Sequence, residues 1–293
     1  MTATADVFRA ALELTETEPE HYDRAFLATT GPVPWPKAYG GDMVAQAARA
    51  AMHSAGEDRR LHSMHSYFLR PVDIGEAVRY EVEIVRDGRG YSTRHVRGFQ
   101  NGKAVYLCIA SFHTGDAGRE YQPAMPEVPA PETLPSSAEA LAGAEGPAVA
   151  YWSEGRSFDM RHVPGPLYMA AADGAVQAHQ AVWVKAFDAL GDDAELHRAA
   201  IAYVCDYTIL EPVLRVLELG WSEPGLVTAS LDHAMWFHRD ARADEWLLYA
   251  QEAGGVQDGR GLGIGRFFDR SGRLVATVAQ EGMIRDPRPP QAA

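Results

Sequence analysis

The chain has 293 residues, 46% of them apolar, enough for buried cores in one large domain or two of ordinary size. Asp and Glu number 40 against 27 Lys and Arg, and the net charge of −13 leaves no general nucleic-acid surface, so an anionic ligand has to be held by a local patch. No apolar run approaches the roughly 20 residues of a membrane span, and the acidic, helical-looking N-terminus carries no charged-then-apolar leader, so cytoplasmic residence is expected.

In chain order, a strand is expected near 23–29, followed by a helix that opens at Gly40-Gly41 and runs through the Ala-rich, almost uncharged stretch Met43 to Met52. Gly40-Gly41 offers backbone amides and the positive end of the helix dipole, which suits a carbonyl oxygen, although a Gly pair before a helix also occurs for steric reasons alone. Strands follow at about 61–70, 77–87, 90–100 and 103–113, with Asp87-Gly88 and Asn101-Gly102 marking hairpins. His62 and His65 are three apart in a strand and face opposite sides, which defeats chelation by the pair and reads as structural. Arg86, Arg89, Arg94 and Arg97 read as a solvated strand face rather than a phosphate site.

From Thr114 to Pro147 the composition turns to Pro, Ala, Glu and Ser, a linker in which repeated prolines break regular elements. It divides the chain into a first half at 1–113, a linker at 114–150 and a second half at 151–293. The second half is expected to hold a strand near 177–188, a helix from about 193 to 210 that stops at Pro212, and strands at about 226–238, 245–253, 260–269 and 273–285. Helix then antiparallel meander, twice over, indicates an α+β fold with each helix wrapped by its own sheet. Cys108 and Cys205 sit in apolar stretches on different elements, as reduced core thiols do. No metal or other cofactor is expected.

Three short matches support a duplication. Asp87-Gly-Arg-Gly90 matches Asp258-Gly-Arg-Gly261, Asn101-Gly-Lys103 matches Ser271-Gly-Arg273, and Ser66-Tyr-Phe-Leu-Arg70 matches Met235-Trp-Phe-His-Arg239, in the same order and at offsets of 169 to 171 residues. The final strand contains one telling difference. At period two, Leu274, Ala276, Val278, Gln280, Gly282 and Ile284 share a face, and Gln280 is its lone polar side chain; the first half has Ala110 there.

A second polar residue stands out in the expected 193–210 helix. Asp206 flanks the face built by Leu196, Ala200, Tyr203, Val204 and Tyr207, either as a helix-end Asp reaching an amide or solvent, or as a partner for Gln280. Ser230 lies in the run Leu226 to His238, where Val227, Ala229, Leu231, Met235 and Phe237 form the apolar parity. Alternation therefore puts Ser230 on the opposite face, with its hydroxyl satisfied by backbone or water.

Taken together, the segments His62 to Pro71, Arg86 to Arg94, Ala110 to Phe112, Leu231 to Arg239, Glu245 to Tyr249 and Gln280 to Gly282 resemble the acyl-CoA thioesterase II family, whose chains are double hotdogs. The resemblance spans about 40–285, excluding the linker. It implies an Asp, Ser-or-Thr and Gln triad that holds the water attacking an acyl-CoA thioester, carried over to Asp206, Ser230 and Gln280. Gly41 and His65 complete the expected site as oxyanion or substrate-binding residues. The sequence departs from the family at Asp42, where Gln is common, and at Ser230, where many relatives have Thr. The implied partner is a fatty acyl-CoA, with self-association into a homo-oligomer. Two rival readings are an enoyl-thioester hydratase, which wants an Asp and His close together on the helix and its lead-in loop, and a non-catalytic acyl-CoA-binding hotdog.

Overall fold

The computed structural model describes residues 3–171 and 176–288. Ahead of the first sheet lies α1 (Ala3–Ala11). The first half then carries β1 (Thr15–Thr17), β2 (Arg24–Thr29), α2 (Gly40–His53), β3 (Arg60–Phe68), β4 (Ala77–Asp87), β5 (Tyr91–Gln100) and β6 (Lys103–His113). Short pieces follow: α3 (Ser137–Ala140), α4 (Pro147–Ala150) and a π-turn at Tyr151–Gly155. The second half has β7 (Phe158–Val163), β8 (His179–Ala186), α5 (Ala194–Val204), a 3-10 turn at Cys205–Tyr207, α6 (Glu211–Val216), β9 (Val227–Ser230), β10 (Asp232–Phe237), β11 (Leu247–Gln257), β12 (Arg260–Asp269) and β13 (Leu274–Arg285).

All described strand pairs are antiparallel, and hydrogen bonding runs unbroken through the order β1-β2-β4-β5-β6-β3-β10-β13-β12-β11-β8-β7, with β9 added against β13. The order is a palindrome of the two halves. They meet at β3 and β10, where Met64 lies opposite Met235 and Ser66 opposite His233. Shifting the chain by 169 residues turns one of these pairs into the other, so the duplication read from sequence is a local two-fold at this seam.

Each helix is apolar nearly all round because it is enclosed. Eleven residues of α2, Gly41 to Ala48 and Ala50 to Met52, are buried against strands of their own half and against α5. The two helices run antiparallel: Gly41 is so close to the Tyr203 carbonyl that a Cβ there would stand 2.3 Å from it, while Arg49 reaches Asp193, the N-cap of α5, at 3.4 Å. Small residues on α2 permit this approach, and any side chain at 41 would force the helices apart.

Several expectations change in detail. The helix expected over 193–210 ends at Val204. Pro212 has no N–H to donate and its ring crowds the carbonyl four residues back, at Thr208, where the backbone leaves helical geometry with φ −134° and ψ 0°. Pro212 instead opens α6 from its first turn. The strand expected over 226–238 is split into β9 and β10. β7 was not anticipated, and the linker region contains one-turn helices as well as irregular chain. Part of it lies over the second half: Trp183 donates to the Pro129 carbonyl at 2.9 Å, and Gln122 bonds both Gly272 and Leu274. Arg94 is not on a solvated face. It is 2% exposed, donates to the Ser54 carbonyl at the end of α2 and pairs with Asp87 at 2.9 Å, closing the helix C-terminus with a buried guanidinium. Cys108 and Cys205 are buried free thiols. No helix among the described residues is long and apolar enough to cross a membrane.

Candidate active site

Asp206 stands on the 3-10 turn after α5. That turn is fixed on its far side by Thr208, whose hydroxyl accepts from Gln251 Nε2 at 2.8 Å and whose carbonyl accepts from the Glu211 amide at 2.9 Å. Breaking the helix here frees the Asp206 carboxylate from the helix surface and turns it toward the sheet.

Ser230 reaches the same place by a register change. β9 pairs Ser230 with Gly282 of β13, whereas β10 pairs Ala234 with Ala279, and one extra residue separates the two registers. This bulge at Leu231-Asp232 is held by the Leu231 amide on the Glu281 carbonyl at 2.9 Å and by the Asp232 carboxylate, which takes the Glu281 amide at 2.7 Å. A one-residue slip exchanges the faces of a strand, so Ser230 points inward although alternation from β10 puts it outside.

Gln280 faces inward from β13, as alternation requires, and is 1% exposed. The three side chains meet on one oxygen. Asp206 Oδ1 accepts from Gln280 Nε2 at 2.5 Å and from Ser230 Oγ at 3.1 Å, and Gln280 Nε2 lies 2.9 Å from Ser230 Oγ. Behind Gln280, its Oε1 lies 2.9 Å from His233 Nδ1. His233 was not singled out from sequence, yet the signal was there: it interrupts the apolar parity of its strand between Leu231 and Met235 as Gln280 does in β13.

The other Asp206 oxygen is turned to the start of α2. A Cβ on Gly40 would stand 2.7 Å from Asp206 Oδ2 and 3.1 Å from the Phe68 ring, so only glycine lets the helix terminus come this close. The first-turn amides of a helix have no partner within it, and the N-cap Tyr39 supplies no side-chain acceptor. Tyr39 instead donates to the Tyr203 carbonyl at 2.7 Å and stacks on Tyr207 at 4.4 Å, roofing this corner with aromatic rings. Gly41 packs on the Tyr203 carbonyl and the Tyr39 ring, and it is its neighbour Gly40 that belongs to the same corner as the three polar side chains. His65 does not. It is exposed on the outer face of β3, edge-on to Trp236 at 5.1 Å, while its neighbours Met64 and Ser66 point inward, so the sheet itself lies between His65 and Asp206.

Burial governs the electrostatics. It pushes Asp42 up to about 7, against the opposing hydrogen bond from the Gly31 amide, and the Asp206 charge adds to the rise. Burial also lowers His233, more than the Gln280 hydrogen bond and the charges of Asp206 and Asp232 raise it, which favours neutral imidazole. Cys205 and Tyr39 are both raised, by burial first and by Asp206 next, so neither supplies an anion. The corner therefore combines a half-buried carboxylate, a hydroxyl, an amide and a helix N-terminus. That set can orient a water, take its proton and stabilise an oxyanion.

Residues 156–283 match the family model for acyl-CoA thioesterase, and residues 31–113 match that for the acyl-CoA thioesterase N-terminal domain. Acyl-CoA thioesterase 2 of Haemophilus influenzae is 35% identical over 256 residues, 84% of this chain and 87% of its own length. Human acyl-coenzyme A thioesterase 8 is 34% identical over 276 residues, 86% of this chain and 82% of its own length. Among solved structures, the acyl-CoA thioesterase II TesB2 from Mycobacterium marinum is similar with TM-score 0.78 and 34% identity, covering 97% of this chain and 99% of that one. A hot dog fold protein from Alicyclobacillus acidocaldarius gives TM-score 0.75 at 21% identity, over 96% of this chain and 98% of that one, a likeness of fold.

Proposed function

Because the chain belongs to the acyl-CoA thioesterase family and has a double-hotdog α+β fold, we propose that it hydrolyses fatty acyl-CoA to free fatty acid and CoA with a water held by Asp206, Ser230 and Gln280. The observation that carries this reading is the convergence of Gln280 and Ser230 on a single Asp206 oxygen, from β13, β9 and the turn after α5.

The chemistry needs little more. The water oxygen adds to the thioester carbonyl carbon while its proton passes to the Asp206 carboxylate; the tetrahedral adduct collapses, the C–S bond breaks, and the CoA sulfur leaves and takes a proton. A thiolate is a good leaving group, so the main tasks are to orient the water and to stabilise the oxyanion. Gln280 and Ser230 hold the water beside Asp206, and the first-turn amides of α2 next to Gly40 face the carbonyl oxygen. The site is shared between halves, with the helix terminus from the first and the triad from the second.

Thiol release from a series running from acetyl- to palmitoyl-CoA tests the reading. Asp206→Ala and Gln280→Ala should each lower turnover by on the order of 10²-fold or more, with far-UV circular dichroism unchanged. Wild-type turnover in both variants rejects the triad, and acyl-CoA binding without thiol release rejects hydrolysis altogether.

A further inference from the structure

His233 is buried behind the triad, 1% exposed, and touches it only through Gln280. A glutamine amide is nearly symmetric in shape but not in chemistry, since only Nε2 can donate. Turned the other way, it would set its carbonyl oxygen 2.5 Å from the Asp206 carboxylate, acceptor against acceptor, and leave Ser230 Oγ without the donor it faces at 2.9 Å. From this geometry we propose that His233 is a positioning residue for thioester hydrolysis: its Nδ1–H donates to Gln280 Oε1 and locks the amide with Nε2 toward Asp206 and Ser230. This deepens the proposed function and rests on it.

Three observations support the assignment. The hydrogen bond has ordinary length, 2.9 Å, and is closed off from water, so solvent does not compete for Oε1. The tautomer follows from the partner, because Gln280 Nε2 is on Asp206 and the Oε1 that faces His233 Nδ1 can only accept, so Nδ1 is where a neutral ring carries its proton. The duplication supplies the control. At the position equivalent to His233 and Gln280 the first half pairs Met64 with Ala110, an apolar contact across the same two strands. The His–Gln pair is present as a unit in the half that holds Asp206 and absent as a unit in the other, which a histidine retained only for core packing does not explain.

His233→Leu keeps an apolar side chain of similar bulk and removes the donor, and His233→Asn restores an N–H near the Nδ1 position. With saturating acyl-CoA, His233→Leu should lower kcat by on the order of 10- to 100-fold with KM within about 3-fold, while His233→Asn should recover most of that loss. In a Gln280→Ala background, His233→Leu should lower kcat no further, because there is no amide left to hold. If His233→Leu does not fold, His233→Gln, whose donor is displaced toward Nε2, takes its place with the same expectation. Unchanged kcat in His233→Leu, failure of His233→Asn to recover, or an equal loss in the Gln280→Ala background overturns the proposal and leaves the triad standing. Wild-type turnover in Gln280→Ala removes the triad reading and this one together.

Discussion

Asp42, in the first turn of α2, places Oδ2 on the Gly31 amide at 3.0 Å and leaves Oδ1 buried with no hydrogen-bond partner among the described residues. Such a carboxylate resists charge, and its raised pKa has a consequence for stability. The folded chain holds the proton between 3.8, the ordinary value, and about 7, whereas the unfolded chain releases it, so this group's contribution is complete below about 3.8 and is lost as pH rises toward 7. Asp42→Asn, uncharged throughout, should gain stability over the wild type across that window. The gain should level off above neutrality at on the order of 4 kcal/mol, from a shift of roughly three pH units. Urea melts of both proteins at pH 5 and pH 8 measure it; a difference independent of pH would show that Asp42 titrates normally. Sequence flagged Asp42 only as a departure from the family. Its burial follows from the packing of α2 against the sheet, which no single residue encodes.

At the scale of the element, the hairpin signals were legible. Asn101-Gly102 and Asp258-Gly259 both adopt positive φ, 52° and 71° in the first pair and 52° and 70° in the second, the geometry for which Asn-Gly and Asp-Gly are suited. The inward face of β13, and with it Gln280, was read correctly from alternation alone. Ser230 was not, because alternation assumes an unbroken register and the bulge at Leu231-Asp232 shifts it by one. Deleting Leu231 should let β9 and β10 share one register with Ser230 still opposite Gly282 and still inward, so thiol release should stay well above the level of Ser230→Ala. A fall to the Ser230→Ala level in the deletion variant would show that pairing with Gly282 is not enough to place the hydroxyl. Likewise, a helical wheel over 193–210 found Asp206 important but put it on the wrong element. The chain leaves the helix at Val204, and it is this early exit that turns the carboxylate toward Gln280.

Across the whole molecule, two halves share a sheet and a pseudo-two-fold axis, and among the described residues the carboxylate–hydroxyl–amide corner is built in the second half. The equivalent place in the first half holds Met64 and Ala110, neither of which can hold a water or partner a carboxylate. The proposed site therefore predicts one substrate per chain. Calorimetric titration with a thioether analogue of acyl-CoA, which cannot be hydrolysed, should saturate at one equivalent per chain; two equivalents would contradict a single shared site.

The sequence by itself determined what depends on local pattern: the strands and turns, the buried helices, the duplication, and the oddity of an amide on an apolar strand face. These follow from side-chain period and turn chemistry, which act over a few residues. Only the tertiary structure decided which polar groups meet. The bulge that admits Ser230, the helix break that frees Asp206, the histidine behind Gln280 and the separation of His65 by the sheet depend on strand register and on the antiparallel contact of α2 with α5. Those are set by contacts between residues far apart in the chain, where a shift of one residue exchanges inside for outside.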